Sequence, residues 1–106
     1  MGKKRVKIDK ELRKFLSKLR KKYADIRVYL FGSRARGDWK IYSDYDMLII
    51  SDGFKEKKFF ERVRELMDLW NKKEALECFP YTKEEFKKLK KRVTFATLFK
   101  DAVRLV

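Results

Sequence analysis

Phe31-Gly32-Ser33-Arg34-Ala35-Arg36-Gly37, followed six positions later by Ser43-Asp44-Tyr45-Asp46-Met47-Leu48-Ile49-Ile50, is the stretch on which the fold turns. Glycine lets a backbone turn sharply and approach a ligand closely, and the amide N–H groups at a helix start attract an anion. Gly32-Ser33 therefore suits a phosphate group. Residues two apart share a face of a β-strand, so Asp44 and Asp46 are expected to present their oxygens together while Tyr45 points away. Two adjacent hard-oxygen ligands suit Mg²⁺, which takes a few carboxylates plus substrate phosphates. Taken alone, Gly32-Ser33 is an ordinary strand-to-helix turn and Asp44 a solvated strand start. Asp46 is harder to explain that way. It shares a face with Leu48 and Ile50, where a carboxylate is costly unless hydrogen-bonded or metal-bound. Gly32 and Gly37 also match the opening of a P-loop, but Asp38-Trp39 stands where that motif needs Lys followed by Ser or Thr.

Upstream of this stretch, Ile8, Leu12, Phe15, Leu16 and Leu19 form one helical stripe, with Lys10, Arg13, Lys14, Lys18 and Lys21 on the remaining surface. Ile26 to Phe31 is β-branched and aromatic and stops at a glycine, as a first strand does. Ser33 is placed to cap a short helix of about residues 34 to 38, which Gly37 helps to end. A second strand from about Asp44 to Ile50 is apolar on both faces past Asp46, which predicts an interior place in the sheet. Ser51-Asp52-Gly53 closes it.

Downstream, Phe59, Val63, Leu66, Met67 and Trp70 predict a helix over about residues 55 to 71, and Ala75 to Phe79 a third strand. Thr82 opens a capping box with Glu85, and Tyr81 is placed to staple against Phe86. Phe86, Leu89 and Val93 continue that helix. Phe95, Leu98, Phe99, Ala102 and Leu105 predict a further helical segment after a break at Thr94. The order α-β-α-β-α-β-α predicts a small α/β fold, one domain over residues 1 to 106.

The 44% hydrophobic content, with nine Phe and two Trp, is enough for a core, and 43% charged residues imply a heavily charged surface. No apolar stretch nears the ~20 residues that span a bilayer, and the N-terminus lacks an apolar signal core. Cys78 is the only cysteine, has no intrachain disulfide partner and is expected in the core. These features predict a cytoplasmic protein with no membrane contact. A net charge of +14 points to an acidic partner, a nucleotide or nucleic acid. Abundant Lys, Arg and Glu, with no Gln or His and one Asn, fit heat adaptation equally well.

The Gly-Ser turn and the Asp pair together resemble the DNA polymerase β-like nucleotidyltransferase superfamily, and within it the minimal nucleotidyltransferases of archaea and bacteria. The family pattern is Gly-Ser, ten residues, then Asp-x-Asp, and residues 34 to 43 here supply those ten. Gly32 to Gly37 match Gly-Ser-x-Ala-Arg-Gly at every fixed position. Leu76-Glu77-Cys78-Phe79-Pro80-Tyr81-Thr82-Lys83-Glu84-Glu85-Phe86 looks like the family's third strand and its Tyr-Thr-x-Glu-Glu-Phe helix start, so the resemblance covers about residues 24 to 90. It implies the polymerase β-like nucleotidyltransferase fold, a small mixed β-sheet with flanking helices.

The resemblance further implies that Asp44 and Asp46 are catalytic, metal-binding carboxylates. The third carboxylate, commonly Asp in the superfamily, matches Glu77, and an ion pair of Glu77 with Arg34 or Arg36 is the alternative. Asp52 lies about 20 Å along the strand from Asp46, too far to share a metal. Gly32, Ser33, Arg34, Arg36 and Ser43 are the expected nucleotide side of the site, since a guanidinium can form paired hydrogen bonds to phosphate. Two neighbours on a short helix point apart, so one arginine is expected to be structural. Arg36 is the family's fixed arginine and Arg34 its auxiliary, with a structural role for Arg36 left open. Ser43 is expected to brace the turn before Asp44.

The implied activity is transfer of NMP, with AMP from ATP expected, to an acceptor hydroxyl with two Mg²⁺ ions. The chain leaves little room for a substrate-recognition domain, so a partner is expected to complete the site. In the minimal nucleotidyltransferase family this is often a helical HEPN protein, a toxin whose tyrosine receives AMP from its antitoxin. Phe95 and Phe99 are candidate anchors for such a partner, with burial in this chain's own core as the alternative. The Lys-rich faces of the first helix and of residues 87 to 92 read as solvated surface, with RNA contact as the alternative. A rival class is a non-catalytic nucleotide- or RNA-binding partner module that retains the pocket. A third is an enzyme acting on a small molecule such as an aminoglycoside.

Overall fold

A computed structural model describes residues 6–41 and 43–106. The first helix, α1, spans Lys10–Lys22. Asp9 caps it, accepting a 2.8 Å hydrogen bond from the Leu12 amide, and Arg20, Lys21 and Lys22 sit at its negative C-terminal end. Its stripe buries Leu12, Phe15, Leu16 and Leu19. Ile8 is not part of that stripe: it precedes the cap and is 37% exposed.

Strand β1, Arg27–Phe31, leads through Gly32 into the short helix α2, Ser33–Arg36. The expectation that Ser33 caps this helix is corrected, because the cap is Gly32 itself, with no side-chain hydrogen bond. Gly37 ends the helix in the left-handed conformation, φ 90°, its N–H donating to the Ser33 carbonyl. Strand β2 spans Tyr45–Ile50, so Asp44 lies one residue before it. A 3-10 turn, Asp52–Phe54, follows.

Helix α3, Phe59–Leu69, is shorter than its apolar pattern predicts. Residues 55–58 are outside it, and Glu61 starts it by accepting from the Lys58 amide at 2.8 Å. Its expected stripe is also corrected. Leu66 is buried, but Phe59, Met67 and Phe60 are exposed, and the buried neighbour of Leu66 is Arg62. Strand β3, Leu76–Tyr81, extends two residues beyond Phe79 and contains Pro80. That proline is tolerated because β3 is an edge strand, where a missing N–H breaks no ladder.

Helix α4, Lys83–Lys90, begins with the expected capping box: the Glu85 amide donates to Thr82 Oγ1 at 3.2 Å and the Thr82 amide to Glu85 Oε1 at 2.8 Å. Tyr81 joins the same apolar cluster as Phe86 while its ring lies 6.2 Å from Phe59. The helix breaks at Lys91–Arg92 rather than at Thr94, and α5 runs over Val93–Leu98. The chain then leaves the helical path. Val103–Arg104 form β4 beside β1, and the Leu105 amide donates to the Val28 carbonyl at 2.7 Å. The predicted helical run to Leu105 therefore ends in a strand.

The sheet order is β3-β2-β1-β4, with β2 parallel to β3 and antiparallel to β1, and β4 antiparallel to β1. This is the mixed sheet with flanking helices that the resemblance implied. One face carries Val28, Leu30, Met47 and Ile49 against α1 and Leu66 of α3. The other carries Leu48 and Ile50 against Phe86, with Tyr29, Phe31, Phe79, Phe95 and Phe99 around them. Strand β2 is interior and covered on both sides, as its double-faced apolar pattern predicts. Among the described residues no helix is long and apolar enough to cross a membrane.

Candidate active site

The antiparallel register sets Phe31, the last residue of β1, opposite Asp46 of β2. Immediately after Phe31 the backbone turns at Gly32 with φ 76°, a conformation that glycine adopts without cost. A side chain here is excluded for a second reason. A Cβ on Gly32 would overlap the Asp46 Oδ2 oxygen. The Gly-Ser turn and the carboxylate are thus in direct contact, and any phosphate held by the turn lies beside Asp46.

The parallel register of β2 and β3 places Glu77 directly beside Asp46. The two carboxyls are within hydrogen-bonding reach. Burial, then the hydrogen bond and negative charge of Glu77, then the charge of Asp44, push the Asp46 carboxyl up to about 6, against the opposing pull of Arg36. Asp46 is half-buried, while Glu77 and Asp44 are exposed. Among the described residues no group of three His, Cys, Asp or Glu side chains is placed to hold a metal ion by itself. Asp46 and Glu77 side by side, with the charge of Asp44 nearby, supply hard carboxylate oxygens of the kind a divalent cation takes together with substrate phosphates. Bound positive charge would offset the negative charge of Glu77 and Asp44, which adds to burial in raising Asp46.

The two arginines of α2 part company. Arg36 is exposed, its Nε donates to Asp38 Oδ2 at 3.3 Å, and its charge acts on Asp46. Arg34 is 8% exposed and turns inward, where Nη2 and Nε donate to the Ser43 carbonyl at 3.0 and 3.3 Å. Ser43 closes a turn: its Oγ accepts from the Lys40 amide, and its own amide donates to the Lys40 carbonyl, both at 2.9 Å. No ion pair links Glu77 to either arginine among the contacts of the described residues.

Two further features carry little sequence signal. Arg62 of α3, 7% exposed, pairs with Glu85 of α4 at 2.7 Å and donates to the Pro80 carbonyl at 3.2 Å, so it clamps the two helices around the β3 edge. On the Asp46 face, Tyr29, Leu48, Phe86, Phe95 and Phe99 line a cavity of about 300 Å³. Phe99 lies 4.5 Å from both Phe31 and Phe95, so both candidate anchors belong in part to this chain's own aromatic cluster. Only the alternating parity of β1 and β2, read together with a helix whose position is set by tertiary packing, brings them there.

This geometry is that of a nucleotidyl-transfer domain, a glycine turn against strand carboxylates on a mixed sheet. The chain belongs to the nucleotidyltransferase domain family, which it matches over residues 10–102. It is similar to a crystal structure of a provisionally assigned nucleotidyltransferase from Sulfolobus solfataricus, with 25% identity and a TM-score of 0.61 over 98% of this chain and 89% of that one. It is also similar to a second provisionally assigned nucleotidyltransferase of known structure, with 28% identity and a TM-score of 0.55 over 74% of this chain and 86% of the other. No curated protein matches the chain.

Proposed function

We propose that this nucleotidyltransferase domain moves AMP from ATP to an acceptor hydroxyl, using the Asp46–Glu77 pair beside the Gly32 turn. That juxtaposition is the single observation on which the reading rests. The amides at Gly32 and Ser33 hold the triphosphate, with Arg36 facing it and Ser43 bracing the approach to Asp44. Asp44, Asp46 and Glu77 hold Mg²⁺, two ions in all. When bound, the metal supplies charge stabilisation at the phosphoryl oxygens and the leaving pyrophosphate. Glu77 orients the acceptor hydroxyl and receives its proton. The acceptor oxygen bonds to the α-phosphorus, the bond to the bridging oxygen breaks, and pyrophosphate departs. Positioning and charge stabilisation supply most of the rate.

The acceptor we favour is a tyrosine of a helical, HEPN-type partner in the cytoplasm, as the resemblance to minimal nucleotidyltransferases suggests. The basic faces of α1 and α4 support docking onto an acidic partner, which added salt should weaken. Recovery of RNA in place of a protein in a pull-down would replace that partner. The test of the site itself is Asp46→Asn. Calorimetry should show loss of Mg²⁺-dependent ATP binding with the thermal transition retained. Binding as tight as the parent's would remove Asp46 from the metal site.

A further inference from the structure

Resting on that reading of the site, we infer that Arg34 is a positioning residue that sets Asp44, rather than a ligand of the nucleotide. The residue as a whole is only 8% exposed. It also lies on the Tyr45 side of β2, and adjacent strand residues face opposite ways, so Arg34 and Asp46 are on opposite faces of the sheet. Its Nε and Nη2 donors both go to one backbone oxygen, the carbonyl of Ser43. The rings of Trp39 and Tyr45 each lie 4.4 Å from its central carbon. One planar cation therefore touches the chain from α2 into β2 at three points: the ring of Trp39, the carbonyl just before Asp44, and the ring of Tyr45 at the start of β2.

The contact with Ser43 is what transmits order to Asp44. A peptide unit is planar, so fixing the carbonyl of Ser43 also fixes the direction in which the N–Cα bond of Asp44 leaves. The bonds between Lys40 and Ser43 close a turn inside the segment, whereas Arg34 joins that turn to α2 and to the start of β2. Beyond it, Arg34, Trp39, Ile41 and Tyr45 border a cavity of about 350 Å³, which gives the segment room to shift once the clamp is lost. Lysine cannot substitute. It lacks the planar fork that holds a carbonyl while lying over the rings of Trp39 and Tyr45.

The test compares Arg34→Lys and Arg34→Met with the parent, by hydrogen exchange at the amides of residues 39–45 and by the Mg²⁺ concentration needed for ATP binding. Both variants should exchange faster in this segment. Both should need about 10- to 100-fold more Mg²⁺, the usual cost of losing a group that orients a metal ligand, with metal-free ATP binding unchanged. Unchanged exchange, full rescue by Arg34→Lys, or an equal loss of metal-free ATP affinity would overturn the assignment, the last by making Arg34 a phosphate ligand. If Arg34→Met does not fold, Trp39→Leu, which removes one of the two rings against the guanidinium, carries the same measurements. Hydrogen exchange needs no nucleotide. A parent that fails to bind Mg²⁺ and ATP would thus sink the proposed activity while the exchange result still decides the role of Arg34.

Discussion

The two faces of the sheet differ in what they are built to do. One is aliphatic and sealed: Val28, Leu30, Met47 and Ile49 have no measurable exposure, and α1 covers them with a full stripe. The other begins with Asp46 and Glu77, continues into a loosely closed aromatic cluster, and keeps a cavity of about 300 Å³. Strand β2 belongs to both, and single-residue alternation along it separates them. The same strand thus carries a closed core on one side and, on the other, a raised carboxyl and half-buried rings beside buried Leu48 and Ile50. Arg34 and Arg62 bridge this division, one joining the sealed face to the loop before Asp46, the other joining α3 to α4.

The sharpest way to break the comparison is Glu77→Gln. On the proposed mechanism it should cut single-turnover transfer by about 10² to 10⁴-fold while ATP affinity and the thermal midpoint hardly move. A fall in stability with unchanged transfer would erase the division. Leu30→Ala probes the sealed face and should cost about 2 to 5 kcal/mol in urea unfolding, because it opens a cavity in a fully buried site. A cost below about 1 kcal/mol would mean that this face is not where stability resides.

The smallest expected effect concerns the clamp between the faces. The hydrogen bond from Arg62 holds the Glu85 carboxyl below its ordinary range. Its stabilising contribution is therefore complete above the unfolded pKa, near ~4.3, and is lost as pH falls through the lower folded value. Glu85→Gln should lose a modest amount of stability at pH 7, since the side chain is 43% exposed and screened by solvent. The variant and parent should converge in strongly acidic solution. Curves that stay parallel down to low pH would show that the charge of Glu85 contributes nothing.

What could be read in the sequence was local. The stripe of α1, the interior character of β2 and the capping box at Thr82 each follow from side-chain period or from chemistry within four residues, and each is present. The structure departs from the local pattern where an apolar run meets a distant partner. Phe59 and Met67 match a helical stripe yet face solvent, because Arg62 takes the buried position by pairing with Glu85, 23 residues away. The final apolar run matches a helix as far as Leu105, but pairing with β1 draws Val103–Arg104 into the sheet.

The sequence by itself determined which chemical groups are present and at what spacing: a glycine turn, two aspartates two apart, and a mixed sheet signalled by the family pattern. Tertiary structure alone decided how they meet. Register across β2 and β3 puts Glu77 beside Asp46, and the turn of α2 sends Arg34 to the Ser43 carbonyl while Arg36 stays outside. A local pattern specifies period and face. The partner of a given atom depends on strand register and on the entropy-costly closure of loops, which only the packed whole resolves.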